Sequence, residues 1–154
     1  MKWIWIAAIA VCSVGTAVAL PAEQKAGALE FWNSGKVLPA SLPFSEAVRV
    51  DRTIHLSGMI GVAPGTLKLV PGGIDAESRQ VMANIRAVLA AHGHGLEHVA
   101  KCTVMLADMA DWEAFNDVYK AFFKSPYPAR SAFGAARLAL GARIEVECIA
   151  ALRN

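Results

Sequence analysis

The chain has 154 residues, 55% of them hydrophobic, and 15 Lys and Arg against 13 Asp and Glu give a formal net charge of +2. That length supports one domain with a real core. The near-neutral balance excludes the basic footprint that sequence-independent nucleic-acid binding requires.

Much of the hydrophobic content lies at the N-terminus. Lys2 is followed by an apolar run from Trp3 to Val11, and Ala17-Val18-Ala19 supplies small residues where a signal peptidase reads. The pattern predicts a secretory signal peptide over residues 1–19, cleaved after Ala19, and a periplasmic or secreted mature protein. Ser13, Gly15 and Thr16 interrupt the run, which is short for a membrane span. No stable membrane association is therefore expected after cleavage. Lys2 is the only charged residue among 1–19, so its removal leaves a net charge of +1. Bulky Val11 precedes Cys12, which does not read as a lipid-attachment site.

Residues 20–43 mix Pro, Gly and Ser with a few large side chains. They read as an extended arm lying on the domain, because leaving adjacent Phe31 and Trp32 wet is costly. The domain proper is expected over 44–154. Residues 45–50 and 53–58 alternate on both sides of Asp51-Arg52 and predict a β-hairpin. Its second strand turns Ile54 and Leu56 one way and His55 the other. Gly58 permits close approach of another backbone or a ligand. Residues 66–70 read as a short strand ended by Pro71-Gly72-Gly73.

Ser78, Val81, Met82, Ile85, Val88, Leu89 and His92 then fall on one helical stripe, predicting a helix over about 75–92. Asp75 is its expected N-cap and Gly93 its C′ residue. His92, His94, Glu97 and His98 have metal-ligand chemistry, but the intervening glycines fix no geometry. No metal site is expected there. Val99 to Leu106 reads as a central strand, and Asp111 as the cap of a second helix with the stripe Trp112, Phe115, Val118, Tyr119 and Phe122. Those aromatics read as core. Asn116 lies beside the stripe. Residues 129–136 and 143–152 complete the strands. Ile144, Val146, Cys148 and Ala150 should face the helices, with Arg143, Glu145 and Glu147 on the other side. Cys102 and Cys148 are open between a disulfide, which export permits, and two buried thiols.

The order β-β-β-α-β-α-β-β predicts an α+β fold, a mixed sheet with both helices on one face. The uncovered face suggests packing on another subunit, with a pocket between subunits. Arg130 and Glu145 carry the most suggestive chemistry. A guanidinium grips a carboxylate through two parallel hydrogen bonds, and a nearby Glu can deprotonate a water. The bland alternative is an Arg at a turn and a solvated Glu face.

Six segments resemble the Rid proteins, the reactive intermediate deaminases also called RidA/YjgF. They are Leu56-Ser57-Gly58, residues 78–85, residues 101–104, residues 115–119, Pro128-Ala129-Arg130-Ser131 and residues 144–147, in the same order. The resemblance covers about residues 42–152. It implies a chorismate-mutase-like fold, a homotrimer with sites between subunits, and hydrolysis of 2-imino acids or their enamine tautomers, such as 2-aminoacrylate, to 2-keto acids and ammonia without a cofactor. It also implies that Arg130 holds the substrate carboxylate and Glu145 places the attacking water. Phe44, Ser57, Gly58, Asn116 and Ala132 would complete the substrate site. Phe44 stands where the family has a tyrosine, Met59 where it commonly has a glutamine, and Ala139 where it commonly has a proline. The alternative function is a non-catalytic binder of small carboxylates in the same cleft. A ribonuclease or chaperone-like role is a third possibility, and the near-neutral charge argues against the nuclease.

Overall fold

The computed structural model describes residues 27–152. The expected signal peptide over residues 1–19, with its expected cleavage after Ala19, and residues 20–26 of the arm lie outside the described residues. The arm contributes β1 (Leu29–Trp32), which pairs antiparallel with β2 (Ala47–Val50), and β2 pairs in turn with β3 (Thr53–Leu56) in the expected hairpin. Ile54 and Leu56 are buried and His55 is exposed. Trp32 is buried, but Phe31 is 68% exposed, against the expectation that both rings pack. Neighbouring residues on a strand point to opposite faces, so a sheet covered on one side shelters only one of them.

Two residues, Met59 and Ile60, form β4 beside the last strand. The strand expected at 66–70 is instead a turn with a single bridge between Val62 and Leu69. The Thr66 hydroxyl closes it, donating to the Ala63 carbonyl at 2.8 Å and accepting from the Lys68 N–H at 3.1 Å, while Leu67 points outward.

Helix α1 spans Gly73–Ala91, two residues earlier than predicted. Asp75 does not cap it. Its carboxylate is engaged by Arg79 one turn on, at 2.9 and 3.0 Å, and left-handed Gly72 opens the helix. Val81, Met82, Ile85, Val88 and Leu89 are fully buried. Burying each such side chain is worth roughly 1.5–3 kcal/mol, which anchors α1 to the sheet. Gly93, at φ +78°, ends the helix as expected. His92 stacks on Trp32, ring centroids 4.0 Å apart. No group of three or more His, Cys, Asp or Glu among the described residues is placed to hold a metal ion.

Strand β5 (Val99–Leu106) leads through a short turn to α2 (Trp112–Phe122), then to β6 (Ala129–Gly134) and β7 (Ile144–Ala151). Asp111 precedes α2 but does not cap it, because Arg143 takes its carboxylate through two 3.0 Å hydrogen bonds. Arg143 therefore does not join Glu145 and Glu147 on the far face. It precedes β7, where strand alternation no longer governs its direction.

The sheet has seven strands in the order β1-β2-β3-β7-β5-β6, with β4 also on β7. Only β5 and β6 run parallel. Both helices cover one face, as predicted. There Met59, Val146, Val104 and Ala132 form one cross-strand row, and Cys148, Cys102 and Arg130 another. Cys102 and Cys148 form a disulfide directly across β5 and β7, Cα atoms 4.1 Å apart. The register resolves the question that spacing left open. The opposite face carries Phe31, Phe133 and Ile149, all exposed.

Candidate active site

Alternation along β7 buries Ile144, Val146, Cys148 and Ala150 against the helices and turns Glu145 and Glu147 to the other face. Glu145 is half-buried in a hollow of about 340 Å³ whose wall includes Phe44, Gly58, Ile60 and Leu140. Gly58 packs so closely that any Cβ there would overlap Glu145 Oε1. The sequence leads us to expect a backbone or a ligand against that glycine; the near group is instead the Glu145 side chain. Two contacts fix the geometry. Ile60 pairs with Glu145 across β4 and β7, and the buried Asn84 amide donates to the carbonyls of Ile60 and Val62 at 3.3 and 3.0 Å. Burial, reinforced by the negative charge of Glu147, pushes the Glu145 pKa above its ordinary value. Such a carboxylate is a stronger base once ionised.

Arg130 sits on edge strand β6 and faces α2. Its guanidinium lies 4.5 Å from the Trp112 ring, 4.7 Å from Tyr119 and 5.8 Å from Phe115. The aromatic stripe read as core thus also serves as a platform for this cation, a contact worth about 0.5–2 kcal/mol per ring. Among the described residues no carboxylate pairs with Arg130. It opens with Asn116, Tyr119 and Tyr127 onto a hollow of about 250 Å³. The Tyr119 pKa is raised by burial, though the charge of Arg130 opposes the shift.

Arg130 and Glu145 therefore lie on opposite faces of the sheet in one copy of the chain. Arg130 shares its row with Cys102, which faces the helices, whereas Glu145 shares its row with Met105 and Phe133. Phe44 and Gly58 belong with Glu145, and Asn116 with Arg130. Ser57 lines neither hollow. Its hydroxyl donates to the Ser45 carbonyl at 2.7 Å and braces the link between β3 and β4 that carries Gly58. Ala132 is partly buried against the core, two residues along from Arg130. Met59 is fully buried opposite Val146, so it shapes the core rather than a pocket wall.

A family model described as endoribonuclease L-PSP matches residues 35–152. The chain belongs to this family, the Rid proteins. A relative from Capra hircus named 2-iminobutanoate/2-iminopropanoate deaminase is 49% identical over 113 residues, covering 73% of this chain and 82% of that protein. The Homo sapiens protein of the same name is 46% identical over 108 residues, covering 70% and 79%. Among solved structures, RidA from the Antarctic bacterium Psychrobacter sp. PAMC 21119 superposes with a TM-score of 0.75 at 36% identity, covering 80% of this chain and 99% of that one.

Two buried carboxylates of this Rid protein escaped sequence reasoning. Glu46 is buried and accepts hydrogen bonds from the Ser34 N–H and hydroxyl and the Leu38 N–H, at 2.8, 2.7 and 2.8 Å. It thereby holds residues 34–38 beside the Glu145 hollow. Glu77 is also buried and accepts from the Arg143 N–H at 2.8 Å, fixing the entry to β7. A carboxylate in an alternating strand or a first helical turn reads as solvent-facing. Only its long-range donors reveal otherwise.

Proposed function

We propose that this chain hydrolyses 2-imino acids, or their enamine tautomers, to 2-keto acids and ammonia. The observation that carries the reading is a half-buried carboxylate of raised pKa, Glu145, held against Gly58. Arg130, stacked on α2 without a carboxylate partner among the described residues, supplies the grip for the substrate's own carboxylate. Glu145 takes a proton from water, the oxygen adds to the imine carbon, and the nitrogen gains a proton. In the collapse of the tetrahedral carbinolamine Glu145 returns its proton to the amine and the hydroxyl gives up its own, so the keto C=O forms as the C–N bond breaks and ammonia leaves. Orientation of acid and water can itself lower the barrier by several kcal/mol, on the order of that gained in intramolecular reactions.

The site is composite. Because Arg130 and Glu145 face opposite sides of one sheet, a shared cleft takes one residue from each of two copies. Exposed Phe31, Phe133 and Ile149 on the uncovered face support self-association, in a homotrimer with three such clefts. Export to the periplasm or beyond is supported by the pattern of residues 1–19 and by the Cys102–Cys148 disulfide.

The test generates imino acids in situ with an amino-acid oxidase and follows ammonia and keto-acid release. The mature protein should accelerate both, and Arg130→Ala and Glu145→Ala should each abolish the acceleration. Mixing the two inactive variants under exchange conditions should restore activity, because some clefts then receive both native residues. Absence of acceleration by the native chain refutes the hydrolase. Absence of complementation refutes the composite site. If Glu145→Gln retains keto-acid affinity while neither form turns over, the carboxylate-binder reading replaces the enzyme.

A further inference from the structure

The Glu145 hollow has one polar side chain in its wall, Glu145 itself. The rest of the lining is apolar, including Leu38, Phe44, Ile60, Leu67 and Leu140. Three of these are large and substantially exposed: Phe44 at 48%, Leu67 at 46% and Leu140 at 57%. Apolar side chains left open beside a half-buried base form a cleft wall that a ligand group can occupy.

Leu140 adds an independent observation. Its backbone is left-handed, at φ 58° and ψ 12°, and the next residue, Gly141, is left-handed too. A leucine pays for that conformation in steric strain, where glycine or asparagine would sit freely. Core packing does not explain its presence, since the side chain is more than half exposed. Such outliers concentrate where a side chain has a role in binding. Here the side chain lines the hollow that holds Glu145.

Resting on the hydrolase reading above, we propose that Leu140, with Phe44 and Leu67, forms a side-chain subsite that selects 2-imino acids bearing bulky apolar side chains, such as those derived from leucine or phenylalanine. With the imine carbon over Glu145 and the substrate carboxylate on Arg130 of the neighbouring copy, the remaining substituent is left to the apolar wall. The reaction is unchanged: water adds, ammonia leaves, and nothing is oxidised or reduced. A hydrophobic pocket discriminates by roughly 10- to 200-fold per methylene at most, so a preference of at least about tenfold is expected.

The experiment compares kcat/KM for the leucine-derived and alanine-derived imines in the native protein, Leu140→Gly and Leu140→Asn. Both substitutions suit the left-handed backbone, so folding should be kept or improved, and a melting curve checks it. The leucine-to-alanine ratio should exceed about ten in the native protein and fall about tenfold in both variants. A native ratio near one, or a ratio untouched by both substitutions, overturns the subsite. The affinity ratio for the two products, 4-methyl-2-oxopentanoate and pyruvate, is measured alongside and judged by the same criterion. If the native protein turns over neither imine, hydrolysis fails as a reading, and the product ratio alone decides the subsite.

Discussion

Gly58, just before β4, and Glu145 on β7 occupy adjoining space, and the carboxylate fits only because the glycine has no side chain. Gly58→Ala should push the Glu145 carboxylate off its water position while leaving the core intact. A displacement of about 1 Å can cost on the order of 100-fold in rate. Steady-state kinetics beside an unchanged circular dichroism spectrum would check it. Native-like kcat would show that the contact is irrelevant to catalysis.

Glu145 should set the acidic limb of the pH–rate profile. Burial and the Glu147 charge raise its pKa, so activity rises with pH through a point above the ordinary carboxylate range. Glu147→Gln removes the repulsion and should move that limb to lower pH. The sign for stability is the reverse. A carboxyl whose folded pKa is raised favours the folded state below its unfolded pKa, and that contribution is lost as pH rises through the folded pKa. Glu145→Gln should accordingly abolish turnover and raise Tm at neutral pH. A lower Tm would contradict the burial argument.

Glu46 has the opposite behaviour. Burial alone pushes its pKa up, but hydrogen bonds from Leu38, Ser34 and Val37 outweigh that and hold it below the ordinary value. Its contribution is present above the unfolded pKa and lost as pH falls through the folded one. Hydrogen bonds to a charged group are worth about 1.5–3 kcal/mol each and do not add fully, so Glu46→Ala should lose at least about 2 kcal/mol. Urea unfolding measures it. Substrate affinity should fall as well, because Leu38 and Leu42 line the Glu145 hollow.

The disulfide closes a loop of sequence separation 46. The chain-entropy relation puts its contribution near 4 kcal/mol, and natural disulfides typically contribute about 2–4 kcal/mol. The double variant Cys102→Ala/Cys148→Ala should lose about that much in denaturant unfolding. Both sulfurs are buried on the helix side of the sheet, away from Glu145, so kcat below the melting temperature should change little. A reducing agent should destabilise the native protein and leave the double variant unaffected.

Short-range periodicity made most of the architecture legible. The hairpin, both helices, strand β5 (though it lies beside the edge strand rather than at the centre) and the buried residues of β7 follow from side-chain spacing, because period 2 and period 3.6 are properties of the local backbone. The short pair Met59-Ile60 has no such signal, and the turn at 66–70 copies a strand's composition without its partners. Asp75 and Asp111 have the chemistry of caps, but arginines at 79 and 143 compete for their carboxylates.

The sequence by itself determined which residues bear the chemistry: a cation at 130, a carboxylate at 145, a glycine at 58 and aromatics one helical turn apart. Tertiary structure alone decided how they combine. Alternation says which residues of one strand share a side, and only the pairing of β6, β5 and β7 relates Arg130 to Glu145. That register sets them on opposite faces, joins Cys102 to Cys148, and gives the aromatics of α2 a guanidinium to hold. Contacts of this kind depend on distances between segments far apart in the chain, which no local pattern encodes.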